Sequence, residues 1–207
     1  MLRINFINIF TASTKFNSYQ IGYLSFNFGI FLLFSAPLIA SFFLIVSLLF
    51  SFIFSKKNHF RDKLNTLLIL ISFFMITSCI VFHFQTAGDY FIANSKLSTP
   101  PLISLINWIP LFFSYVGFQN YLKNKNDRKI TGICLICGTI PILISGFGQY
   151  LFNWYGPLEF LNGLIIWYQR ESSNAMTGLF NNQNYAGLWM EMVWPFCLSE
   201  LMKKRKE

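Results

Sequence analysis

Leu64–Phe84 reads LNTLLILISFFMITSCIVFHF, and its reading decides the fold. At 1.5 Å of rise per residue it makes a helix of about 30 Å, the thickness of a bilayer's hydrocarbon core. Nothing in it carries a permanent charge, while Lys56, Lys57, Arg61 and Lys63 stand just before it. Lysine and arginine at span ends stay on the cytoplasmic side. The chain therefore enters the membrane from inside at Leu64 and emerges outside after Phe84.

The same pattern recurs at Leu102–Leu122, Ile130–Leu151 and Tyr185–Met202. Two further basic runs, Lys123, Lys125, Arg128, Lys129 and then Lys203–Lys206, adjoin these stretches. With all three runs inside, the spans alternate in direction without conflict. Gln85–Pro101 and Phe152–Asn184 then face outward, with Lys96 and Arg170 as their only bases. The first apolar region, Ile21–Ser55, would as one helix be about 52 Å long, too long for a single crossing. Ser35-Ala36-Pro37 lies near its middle, and proline disfavours helix in the residue before it. Two short spans joined there return the N-terminus, with Arg3 and Lys15, to the inside. Six spans are preferred, and five is the alternative. Pro110, Pro141 and Pro195 fall within the other spans, where neighbouring helices satisfy the freed carbonyls.

Composition agrees with an all-α, polytopic transmembrane bundle. Hydrophobic residues make up 54% of the chain and charged residues 12%, with 26 phenylalanines. A soluble domain carries about twice that charge fraction. The net charge of +8 sits in short runs against apolar stretches rather than among aromatics on a soluble face, which argues against a nucleic-acid partner. Met1–Gln20 has no apolar core before a small-residue cleavage site, so no cleavable signal is expected. Residues 1–207 read as one membrane domain with 152–184 as its outer segment. Trp154, Tyr155, Trp167 and Tyr168 suit the interface belt, and Leu158–Tyr168 is expected to be a short helix lying flat on the outer surface.

The chemistry gathers between Trp167 and Pro195, WYQRESSNAMTGLFNNQNYAGLWMEMVWP. Arg170 has two readings: a lipid-headgroup anchor, or a phosphate-binding fork, since guanidinium matches phosphate oxygens in shape. Gly178 suits a turn that needs positive φ. Asn181, Asn182 and Asn184 precede the last span, and one of them is expected to cap it. Three exceed what one cap needs, and the same helix end offers free N–H groups and the positive end of its dipole to an anion. Glu191 lies two turns below Asn184 on one face, with Gly187 near that stripe. A carboxylate there costs about 2.5–3.5 kcal/mol at mid-membrane, so it should face the bundle interior or water. It reads either as a buried hydrogen-bonding group or as a proton-handling or acceptor-binding one. Cys134 and Cys137 lack a second pair or a nearby histidine, and Cys79 and Cys197 read as small apolar residues, so no metal or cofactor is expected.

The order Arg170, then Gly178-Leu179-Phe180-Asn181-Asn182-Gln183-Asn184, then the small residues Ala186 and Gly187, resembles the O-antigen ligase and polymerase family, most of all its cyanobacterial branch. The resemblance is specific here and diffuse upstream. It implies a multi-pass protein of the bacterial inner membrane, for which the basic runs place both termini on the cytoplasmic side. It also implies metal-independent, inverting transfer of a glycan from a polyprenyl diphosphate to an acceptor hydroxyl on the periplasmic side. Arg170, Asn182 and Asn184 would then meet the donor diphosphate, while Gly178, Phe180, Asn181, Ala186 and Gly187 would shape the motif. The family's second half, with a further arginine and a histidine in a large outer loop, has no counterpart before Glu207. An incomplete enzyme is therefore expected, with catalytic residues unassigned and a second polypeptide as a candidate partner beside membrane lipids. Two alternatives stand: a transporter or subunit linked to bicarbonate uptake, and a non-catalytic membrane scaffold.

Overall fold

A computed structural model describes residues 18–54, 62–86, 101–171 and 175–204. Lys15, Lys56, Lys57, Arg61, Lys96, Arg205 and Lys206, which enter the topology argument, lie outside the described residues, as do 87–100 of the outer stretch Gln85–Pro101. The elements are helices α1 (Ser18–Leu32), α2 (Pro37–Phe54), α3 (Lys63–Thr86) and α4 (Pro101–Phe118), which runs on as a 3-10 turn (Gln119–Leu122). There follow α5 (Lys125–Gly138), α6 (Ile140–Phe152), strands β1 (Leu158–Phe160) and β2 (Ile165–Trp167), and α7 (Gln183–Lys204). They fall into two compact units, one of residues 1–54 with 128–207 and one of 55–127.

Among the described residues, three helical stretches are long and apolar enough to cross a membrane: Pro37–Phe54, Lys63–Phe82 and Lys125–Phe152. Their burial is inverted relative to a soluble protein. In α3 the buried positions are Asn65, Ser72 and Cys79, spaced seven apart on one stripe, while Phe73 and Phe74 are exposed at 62% and 61%. In α2 the buried residues are Ala40, Ser47 and Ser51, and Phe42, Ile45, Leu49 and Ile53 face out. Small and polar residues turn inward where backbones approach closely, and large apolar ones turn to a solvent that is itself apolar. Hydroxyls on these helices fold back on the preceding turn. Ser41, Ser72 and Thr77 donate to the carbonyls of Pro37, Leu68 and Phe73 at 2.8 Å each, which satisfies these three donors within their own helices. The chain is a multi-pass helical membrane protein.

The first apolar region breaks at 33–36, so Pro37 opens α2 with a ring whose missing N–H is no loss in a first turn. α1 and α2 pack closely: a Cβ on Gly29 would lie 2.8 Å from the Leu44 side chain. α1 has 15 residues, about 22 Å of helix, shorter than a hydrocarbon core. Thr139 interrupts the stretch of 28 residues from Lys125 to Phe152, and Pro141 stands in the first turn of α6 rather than inside a helix. Proline there removes a hydrogen bond that a continuous helix would need. Pro110 and Pro195 do lie inside helices, α4 and α7. In the second unit, Asn65 and Gln119 exchange side-chain amide bonds of 3.2 and 2.9 Å, tying α3 to the 3-10 turn after α4.

The segment 152–184 departs from expectation. Leu158–Tyr168 is not a surface helix: it holds an antiparallel hairpin pairing Leu158 with Trp167, Glu159 with Ile166 and Phe160 with Ile165. The reason is local. Leu161, Asn162 and Gly163 take φ of 53°, 54° and 85°, and Asn-Gly followed by β-branched and aromatic residues favours a turn and strand over a helix. Packing continues this side's core through Ile142, Leu179, Trp189 and Val193, flanked by Leu33, Phe34, Trp167 and Phe180.

Candidate functional site

The segment between α6 and α7 is held by α6 itself. α6 ends where Asn153 turns left-handed at φ 52° and caps the helix back to the Gly148 carbonyl. Four residues earlier along α6 lies Gln149, 4% exposed, and one turn before it Ser145, 1% exposed. The two are four apart and so share one helix face. Gln149 Oε1 accepts from the backbone N–H groups of Thr177 at 3.1 Å and Gly178 at 2.9 Å. Its Nε2 donates to Thr177 Oγ1 at 2.9 Å, and that hydroxyl donates to the Arg170 carbonyl at 3.1 Å. Ser145 Oγ accepts from Gln169 Nε2 at 2.6 Å.

The approach to Arg170 is equally constrained. Trp167 Nε1 donates to the Ser35 carbonyl at 2.9 Å, anchoring β2 to the turn between α1 and α2. Tyr168 N–H donates to the Leu179 carbonyl at 3.1 Å, and Gly156 N–H to the Gln169 carbonyl at 3.1 Å. Gly156 is needed there, because a Cβ would come within 2.8 Å of both the Trp167 and Tyr168 carbonyls. Gln169 sits at φ 38°, an unfavourable region for a side-chain-bearing residue. Its Oε1 is buried without a hydrogen bond. Such a residue persists only where its surroundings over-determine it.

The motif turn takes the form its residues suggest. Gly178 has φ 57°, and a Cβ there would also press on Ile142 Cγ2 at 3.1 Å. Phe180 N–H donates to the Thr177 carbonyl at 3.1 Å. The Phe180 ring lies edge-on to Phe34, whose centroid is 5.3 Å away, and Phe34 in turn lies 3.9 Å from the buried Trp189. Asn182 is the cap of α7: its Oδ1 accepts from Asn184 N–H at 2.8 Å. Asn181 and Asn184 are exposed.

An apolar groove of about 350 Å³ opens beside this turn. Phe34 and Pro37, Ile166 and Tyr168 of the hairpin arm, and Asn181, Tyr185 and Trp189 are among its walls. Farther along α7, Trp189 and Val193 face the core while Glu191 is exposed, on the face that carries Asn184 and the open position Gly187. Ala186 is half-buried.

The structure thus joins Arg170 to the Gly178 turn through Thr177, gives Asn182 to the cap and sets Asn181 on the groove. It leaves Glu191 apart from the clamp. Arg170 and Glu171 are both exposed. Gln149, Ser145, Gln169 and Thr177 were not singled out in the sequence. A glutamine four residues after a serine inside an apolar span was the available signal, since amides in such spans need partners. The four cysteines are free, and no group of three metal-ligating side chains occurs among the described residues. No family model matches the chain, and no curated protein and no solved structure matches it.

Proposed function

We propose that this is an O-antigen-ligase-like protein of the bacterial inner membrane, with both termini cytoplasmic, that binds a polyprenyl diphosphate-linked glycan on the periplasmic side. The observation that carries the reading is the bridge at Thr177. One hydroxyl connects the Arg170 carbonyl to Gln149 and so fixes the backbone of an exposed arginine to the turn that opens α7. The guanidinium supplies a charged fork of donors, and the helix start supplies backbone N–H groups and a partial positive charge. The groove of about 350 Å³ beside them suits an isoprenoid chain, since such sites are lined mainly by apolar and aromatic side chains. In this reading Arg170, Asn184 and the start of α7 hold the diphosphate, Asn182 orders that helix end as its cap, and the polyprenyl tail lies along Phe34, Tyr185 and Trp189.

The test is binding of undecaprenyl diphosphate to the full chain in lipid nanodiscs, followed by native mass spectrometry. Binding that weakens at least tenfold in Arg170→Ala supports the reading, and equal binding by both proteins overturns it. A second reading, a transporter subunit for inorganic carbon, draws on the exposed carboxylate of Glu191 on α7. Labelled bicarbonate uptake that requires Glu191 and not Arg170 would favour it.

A further inference from the structure

We infer that Ser145 and Gln149 of α6 form a rack that positions Arg170, with Thr177 as the connecting hydroxyl and Gln149 as the principal positioning residue. The inference deepens the donor-site reading and rests on it only for the ligand, because the rack itself is a matter of geometry.

Both stems of the 170–176 stretch end on one face of α6. The incoming stem is held by Gln169 on Ser145, and the outgoing stem by the N–H groups of Thr177 and Gly178 on Gln149. Ser145 and Gln149 are one turn apart, so a rigid helix sets the separation of the two stems. Thr177 then closes the loop crosswise by donating to the Arg170 carbonyl while accepting from Gln149. Every residue from Tyr168 to Arg170 is tied by at least one bond to α6, to Gly156 or to the 177–179 turn. The orphaned Oε1 and left-handed backbone of Gln169 are costs that local structure alone would not sustain. Gln149, by contrast, uses both ends of its amide. A flexible arginine on an untethered loop would lose side-chain and backbone freedom on binding. A backbone fixed beforehand removes part of that cost.

The experiment uses the full chain in nanodiscs, its native cysteines replaced by serine, with a spin label at Glu171→Cys, an exposed position beside Arg170 that is not assigned to binding. Three substitutions are compared. Gln149→Leu removes the bonds that Gln149 makes to the outgoing stem, Thr177→Val removes the connecting hydroxyl at nearly constant shape, and Thr177→Ser keeps it. The account expects the label to be restrained in the parent and in Thr177→Ser, and at least threefold more mobile in Thr177→Val and Gln149→Leu. Undecaprenyl diphosphate binding should follow the same order, falling about tenfold in Thr177→Val and recovering in Thr177→Ser. Unchanged label mobility in Thr177→Val overturns the rack even if Gln149→Leu does not fold. Mobility that changes as expected while the parent binds no undecaprenyl diphosphate leaves the rack standing and sinks the donor-site reading instead.

Discussion

α3 and α6 are built from similar residues and use their polar side chains for opposite purposes. α3 buries Asn65, Ser72 and Cys79 on one stripe. Ser72 returns its proton to its own helix, and Asn65 pairs amide to amide with Gln119. Only the Asn65–Gln119 pair settles how two helical elements meet. α6 buries Ser145 and Gln149, and both reach backbone or side chains of a segment that is neither helix nor span. The lesson is that a polar residue in an apolar helix satisfies hydrogen-bonding needs in one case and exports order to a loop in the other. Only the second arrangement makes a site, since it leaves Arg170 exposed on a backbone it has fixed.

The largest effect should come from breaking the exporting side. Gln149→Leu strips the acceptor from two buried N–H groups, and we expect a loss of about 3 kcal/mol in unfolding from mixed micelles. Gly178→Ala forces a side chain into a left-handed turn against Ile142. Its expected cost is about 2 kcal/mol, reduced in Gly178→Asn, because asparagine tolerates that region better. On the α3 side, Asn65→Leu should cost about 1 kcal/mol by stranding Gln119. The double change with Gln119→Leu should recover most of it, as membrane hydrogen bonds between side chains are individually modest. Asn182→Ala removes the cap of α7 for about 1 kcal/mol. Smallest of all, Phe73→Leu on the exposed face of α3 should stay within about 0.5 kcal/mol. If it were as costly as Gln149→Leu, the assignment of that face to lipid would be wrong.

Legibility in the sequence followed the range of the interactions. Span-length helices announce themselves through composition, so α3 and the Lys125–Phe152 stretch fall where apolar stretches do, and Pro37 marks the break before α2. By contrast, α4 and α7 are helices at the expected places but not among the three stretches of the described residues that are long and apolar enough to cross. Pro141 does fall within the Lys125–Phe152 span, and there it stands in the first turn of α6, just after the break at Thr139. The hairpin was missed although its signal is local. Trp167 and Tyr168 drew attention as interface aromatics, while Asn162-Gly163, which dictates the turn, lay between them and β1. Among Asn181, Asn182 and Asn184, sequence limited the cap to one of three, and only the start of α7 at Gln183 selects Asn182. Of the rack, only a glutamine four residues after a serine in an apolar span was legible. Gln149 meets Thr177 across 28 positions of chain, and no periodicity reveals which loop a buried amide will hold.

The central claim is that the clamped turn meets a diphosphate-bearing lipid at the outer face. A single cysteine at Asn181, on the wall of the groove, tests both parts in spheroplasts when the four native cysteines are serine. The account predicts modification by a membrane-impermeant maleimide added outside, slowed by undecaprenyl diphosphate but not by undecaprenol, with that protection lost in Arg170→Ala. Labelling only after the membrane is permeabilised, or equal protection by the alcohol, would contradict it.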